Sequence, residues 1–77
     1  MLLNPGAWTH YSYAIRDALE IAGMPAVEVH LSAVQEREEF RRVSVISDLC
    51  LATISGQGAD GYRAGLEHLR AALEAAA

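Results

Sequence analysis

AVEVHLS, residues 26–32, alternates without a break: Val27, Val29 and Leu31 fall on one side of an extended chain, Glu28, His30 and Ser32 on the other. Such a run is a strand with one apolar and one polar face, and its neighbours take their places from it. Upstream, Tyr11, Ala14, Ile15, Ala18, Leu19 and Ala22 recur at helical spacing, with Thr9 as the predicted N-cap and Gly23 as the predicted stop before Pro25. Further back, Leu2-Leu3 read as the end of a buried strand and Asn4-Pro5-Gly6 as the turn that leaves it. A strand end without a strand start points to missing sequence before Met1.

Downstream, the Arg- and Glu-rich residues 33–45 predict a polar connection containing a short helix opened by Ser32. LCLATIS, residues 49–55, reads as another buried strand. From Asp60 to Ala75 a final helix is predicted, with Tyr62, Leu66, Leu69 and Leu73 on one face. Strand, helix, strand, connection, strand, helix is an α/β order, an open parallel sheet with helices on its faces. In such sheets ligands bind outside the carboxyl ends of the strands. The polar groups expected there are Asn4, His10, His30, Ser32 and Arg41.

Composition narrows the possible functions. With 77 residues there is one domain at most, and a chain of this size buries only about two-thirds of its unfolded surface. At 52% hydrophobic and 21% charged it is globular rather than disordered. The net charge is −4, and the basic residues, all arginine, are scattered among acidic ones. That excludes a polybasic footprint for nucleic acid or an anionic membrane. No apolar run approaches the roughly 20 residues of a membrane span, and no basic segment precedes an apolar one at the start, so a soluble cytoplasmic chain is expected. Cys50 has no partner for an internal disulfide and reads as a buried reduced thiol. His10, His30 and His68 share no metal-ligand spacing, and no cofactor is expected.

Two motifs invite a functional reading. GQGADG, residues 56–61, matches G-x-G-x-x-G, follows a predicted strand and opens a helix. A dinucleotide fingerprint also needs a later strand with an acidic residue, and here the chain ends with the helix, so a tight, closely packed turn is expected. His30 lies between Glu28 and Ser32 on one strand face, with His10 near a second strand end; the pattern leaves both a satisfied polar group and a functional one open. Arg41-Arg42 in an acidic stretch reads as a solvated or ion-paired face more readily than as an anion clamp, and Trp8, Tyr11, Tyr13 and Tyr62 as packing residues.

The segments NPGAWTH, AIRDAL, VEVHLS, REEFRRVS and GQGADGY, in that order from Leu2 to about Leu69, resemble the second half of the type II 3-dehydroquinate dehydratases. The resemblance implies a flavodoxin-like sheet, of which residues 1–77 are the C-terminal half. It implies elimination of water from 3-dehydroquinate through an enolate, in the shikimate and quinate pathways, without a cofactor, in a homo-oligomer that is a dodecamer built from trimers. By the same resemblance His30 is the general acid and Glu28 orients it. Asn4, His10, Ser32 and Arg41 bind the substrate's carboxylate and hydroxyls, joined by the backbone amides of Leu31 and Ser32, and Asp17 approaches the site of a neighbouring subunit.

Val43 and Val45 depart from the family's pattern, which commonly has a histidine and an aromatic residue there. That bears on loop packing and a subunit contact. The family's tyrosine base, its arginine and the asparagine that holds a water belong to the half that is missing. So do the strands expected to cover Val27, Val29 and Leu31. Two other readings follow: an inactive fragment that only assembles with other chains, and a small nucleotide-binding module built on residues 56–61.

Overall fold

The structure, a computed structural model, describes residues 1–76. Its regular elements are β1 (Leu2–Leu3), α1 (Tyr13–Ala22), β2 (Val27–His30), β3 (Ala52–Ser55) and α2 (Asp60–Ala76). The strands form one parallel sheet in the order β1-β2-β3. Leu2 pairs with Val27 and Val27 with Ala52; two residues on, Val29 pairs with Ile54 and His30 with Ser55. This is the α/β architecture expected from the alternation of elements.

The register sorts side chains onto two faces. Leu2, Val27, Val29, Ala52 and Ile54 face α2 and pack with its Tyr62, Ala64 and Leu69. The helix lies close because it turns glycines to the sheet. A Cβ at Gly65 would stand 3.3 Å from both Val27 and Val29, and one at Gly61 3.2 Å from Val29. The contact stripe is therefore turned by one residue from the predicted one, and Leu66 and Leu73 face solvent at 56% and 62% exposure. Val27 and Val29 are fully buried under α2, so their cover comes from this helix and not from further strands as expected; Leu31 lies beyond the end of β2 and is exposed.

On the opposite face Leu19 of α1, Ala26 and Ile46 form a second cluster with Leu3, Ile15, Val45, Leu49 and Cys50. Of the predicted apolar face of α1, only Leu19 is buried and Ile15 half-buried; Tyr11, Ala14, Ala18 and Ala22 are exposed. Cys50 is half-buried, and burial pushes its thiol pKa up. Arg16 ties α1 to this side through hydrogen bonds to the Val45 carbonyl (2.8 Å) and both Asp48 carboxylate oxygens (2.6 and 3.0 Å).

Three other local expectations are corrected. Ser12, not Thr9, caps α1, accepting the Ile15 amide at 3.3 Å; Thr9 is drawn away into a buried bond. Gly23 does end the helix, in the left-handed conformation at φ 61°. Residues 33–45 hold no α-helix but two 3₁₀ segments, Val34–Glu36 and Glu39–Arg42, and Ser32 caps neither. Extended Arg37 and Glu38 interrupt them. The last strand is shorter than LCLATIS because Ser47–Leu49 closes a further 3₁₀ turn that brings Leu49 and Cys50 to the second cluster. Among the described residues no helix is long and apolar enough to cross a membrane.

Candidate active site

Alternation along β2 puts Glu28 and His30 on the face away from α2, and both are buried, at 0% and 4% exposure. The polar face of this strand is thus interior, which a lone buried carboxylate tolerates only when its hydrogen bonds are made. Three segments supply them. A 3₁₀ segment, Gly6–His10, crosses this face after the Asn4-Pro5-Gly6 turn, whose geometry is set by the Asn4 side chain accepting the Gly6 amide (3.1 Å) with Gly6 at φ 63°. It delivers Thr9, 1% exposed, whose hydroxyl donates to Glu28 Oε2. From the connection, the Ser44 hydroxyl donates to Oε1 at 2.9 Å, and from β3 Thr53 does so at 3.3 Å. His30 Nε2–H donates to Oε2 at 2.6 Å, which leaves Nδ1 as the nitrogen able to exchange a proton with a ligand.

His30 opens onto a cleft of about 200 Å³. Its lining brings together Asn4, His10, His30, Leu31, Ser32 and Arg41, every residue expected to touch substrate. His10 stacks on His30, ring centres 6.2 Å apart and 15° from parallel, and its Nδ1–H donates to the Val43 carbonyl at 2.6 Å. The Val45 amide donates to the Thr9 carbonyl at 2.7 Å. At both departures from the family's pattern the backbone makes these bonds, and the Val45 side chain also packs on the second cluster.

Arg41 lies with its guanidinium carbon 4.7 Å from the Phe40 ring centre, and its Nε–H is paired with Glu38. The Glu38 carboxyl sits below the usual carboxylate range, through its own backbone amide and Arg41. Asn4 Nδ2 donates to the Tyr62 hydroxyl at 3.1 Å, tying the cleft floor to α2.

The glycine motif supports the cleft from behind. Gly56 N–H donates to the Ser32 carbonyl and Gly58 N–H to the Leu31 carbonyl, both at 3.0 Å, which fixes the two backbones at the rim. Gly56 and Gly58 adopt φ 76° and 55°, and a Cβ at Gly56 would lie 3.2 Å from that of Ala33. This is the tight, closely packed turn expected.

Asp17 is exposed on α1 and does not line the cleft, and His68 stands exposed on α2 away from it. Sequence reasoning missed Arg37, which lines the cleft, and the hydroxyls of Thr9, Ser44 and Thr53 around Glu28. The Glu28–Thr53 neighbourhood follows from strand register alone; Thr9 and Ser44 carry no local signal because loops bring them in.

The profile of the family described as Dehydroquinase class II matches residues 1–70. The 3-dehydroquinate dehydratase of Thermotoga maritima is 57% identical over 74 residues, 96% of this chain and 51% of that protein. That of Deinococcus radiodurans is 53% identical over 74 residues, covering 96% and 52%. The solved type II dehydroquinase from Butyrivibrio crossotus superposes with a TM-score of 0.84 at 51% identity, covering 90% of this chain and 48% of that one. The one from Propionibacterium acnes gives 0.84 at 46% identity, covering 91% and 48%. The chain spans about half the length of the relatives it matches. It shares their sequence and their fold along most of its own length, and it belongs to the type II dehydroquinase family.

Proposed function

We propose that this chain supplies the general acid and the substrate anchors for the dehydration of 3-dehydroquinate to 3-dehydroshikimate, as part of a cytoplasmic enzyme of the shikimate or quinate pathway. The carrying observation is that His30, bonded to a buried Glu28, opens into the cleft that also holds Asn4, His10, Ser32 and Arg41. The reaction removes a proton beside a ketone and expels a tertiary hydroxyl through an enolate. It needs a base, a group that steadies the enolate oxygen, and an acid for the poor leaving group.

His30 protonates the departing hydroxyl from Nδ1 while Nε2 stays held by Glu28. Arg41 and the backbone amides of Leu31 and Ser32 take the substrate carboxylate; Asn4, His10 and the Ser32 hydroxyl take the ring hydroxyls. No cofactor enters. Among the described residues no tyrosine lines the cleft, so the base is assigned to a residue outside this chain, and the chain alone should not turn over. In the assembled enzyme, a homo-oligomeric dodecamer built from trimers, Asp17 reaches the site of a neighbouring subunit.

A second reading, an inactive module that only assembles with other chains, is favoured by the apolar side chains left on the surface, Ile21 at 86% exposure and Tyr13 at 66%. Two measurements separate the readings. Titrating 3-dehydroquinate into the chain should shift the His10 and His30 ring signals saturably. Mixing the chain with the N-terminal half of the Thermotoga maritima enzyme should produce the conjugated enone product. Co-assembly without ligand binding or turnover would leave only the second reading.

A further inference from the structure

The geometry points to Thr9 and Ser44 as positioning residues for His30, acting through Glu28. The inference rests on the reading of His30 as the acid, and it assigns a role to two hydroxyls that never face the cleft. An ionised carboxylate offers about four lone-pair positions and no donor. Here four donors meet it: Thr9 and His30 on Oε2, Ser44 and Thr53 on Oε1. Each of the three hydroxyls comes from a different segment, so the carboxylate is held against rotation from three sides. A side chain fully buried without alternative partners has nowhere else to place its oxygens.

Ser44 is committed to this duty by its own surroundings. Its oxygen accepts the amides of Ile46 (3.3 Å) and Ser47 (3.1 Å). With its acceptor positions taken, Ser44 is left to donate, and of the two oxygens in reach, Glu28 Oε1 at 2.9 Å and the Thr9 hydroxyl at 3.1 Å, the carboxylate is the nearer and the stronger acceptor. Thr9 is fixed as firmly, because its carbonyl takes the Val45 amide and so locks the 3₁₀ segment to the loop that carries Ser44. The same loop gives the Val43 carbonyl to His10 and follows Arg41 in the chain. The consequence is that the His30 ring keeps Nε2–H on Glu28 and presents Nδ1 to the ligand only while this hydroxyl cradle is intact. Ionisable groups near Glu28 and His30 include His10, stacked on the His30 ring, Cys50, whose thiol feels the Glu28 charge, and Arg37 and Arg41 across the cleft.

The test reads the His30 Nε2–H proton by NMR in the full chain without substrate. Held against a buried carboxylate, this proton should give a low-field signal that exchanges slowly with water. Thr9→Val keeps the shape and removes the hydroxyl, and should speed the exchange about tenfold, the usual worth of one hydrogen bond. Ser44→Ala should do the same, and Thr9→Ser should restore the wild-type rate. The amides of Val27 and Val29 on the same strand report on general loosening and should stay protected. Unchanged His30 exchange in both Thr9→Val and Ser44→Ala would overturn the inference, as would equal acceleration of the Val27 and Val29 amides. If Thr9→Val does not fold, the Thr9→Ser and Ser44→Ala pair decides. Substrate takes no part in the measurement, so failure of the dehydratase reading would show separately, in the 3-dehydroquinate titration.

Discussion

His30 and Arg41 border one cleft but should fail differently when replaced. A general acid is worth roughly 10²- to 10⁴-fold in rate. In the assembled enzyme His30→Ala should therefore lower kcat by that factor with a smaller change in KM, since Asn4, Ser32 and Arg41 still hold the ligand. Arg41→Ala removes a charge-assisted anchor and should raise KM about 10- to 100-fold with a smaller effect on kcat. Steady-state kinetics of both variants checks the split. A near-normal kcat with raised KM in His30→Ala would make His30 an anchor and send the search for the acid elsewhere. Glu38 occupies Arg41 Nε, so Arg41 meets a ligand through its other nitrogens.

At the scale of elements, two connections determine whether the site keeps its shape. The β3–α2 turn holds the Leu31 and Ser32 carbonyls, and Gly56 in it combines φ 76° with a close approach to Ala33. Gly56→Ala should cost about 1–3 kcal/mol, from left-handed strain plus the contact, read as a lowered denaturant midpoint. An unchanged midpoint would mean that the turn relaxes without loss.

The Arg16–Asp48 pair fastens α1 to the segment before β3, and the hydrogen bond from Arg16 holds the Asp48 carboxyl below its usual value. A carboxyl depressed in the folded state adds stability above its unfolded pKa and loses it as pH falls through the folded value. Wild type should therefore exceed Asp48→Asn in stability near neutral pH, and the two should converge in acid below the usual carboxylate range. A pH-independent gap between the melting curves would show that the pair acts through packing or a hydrogen bond alone.

At the scale of the whole molecule, the buried apolar side chains among the described residues are few: Leu19, Ala26, Val27, Val29, Val34, Ile46 and Ile54. Against them stand exposed Trp8, Tyr13, Ile21, Leu66 and Leu73. A small domain with this balance is marginal by itself, and contiguous apolar surface and unpaired strand edges recruit partners. The chain should self-associate at micromolar concentrations, as read by sedimentation, and Ile21→Glu should weaken that association. A monodisperse monomer of ordinary stability would show that this surface is no interface.

The sequence by itself determined the parallel α/β order, the presence of a strand within residues 26–32, the Gly23 stop and the nature of the 56–61 turn. These depend on alternation, spacing and glycine conformation, which are local properties of the chain. It also assembled, through the resemblance, the six residues that the cleft brings together. Only the tertiary structure decided that the polar face of β2 is interior and that Thr9 serves Glu28 rather than the start of α1. Both depend on what lies above the sheet: the segments bearing Thr9 and Ser44 arrive from 19 and 16 residues away, a distance over which periodicity carries no information. The stripe of α2 that meets the sheet was settled the same way. Glycine lets backbone approach where leucine does not, and that choice depends on the partner surface as much as on the helix.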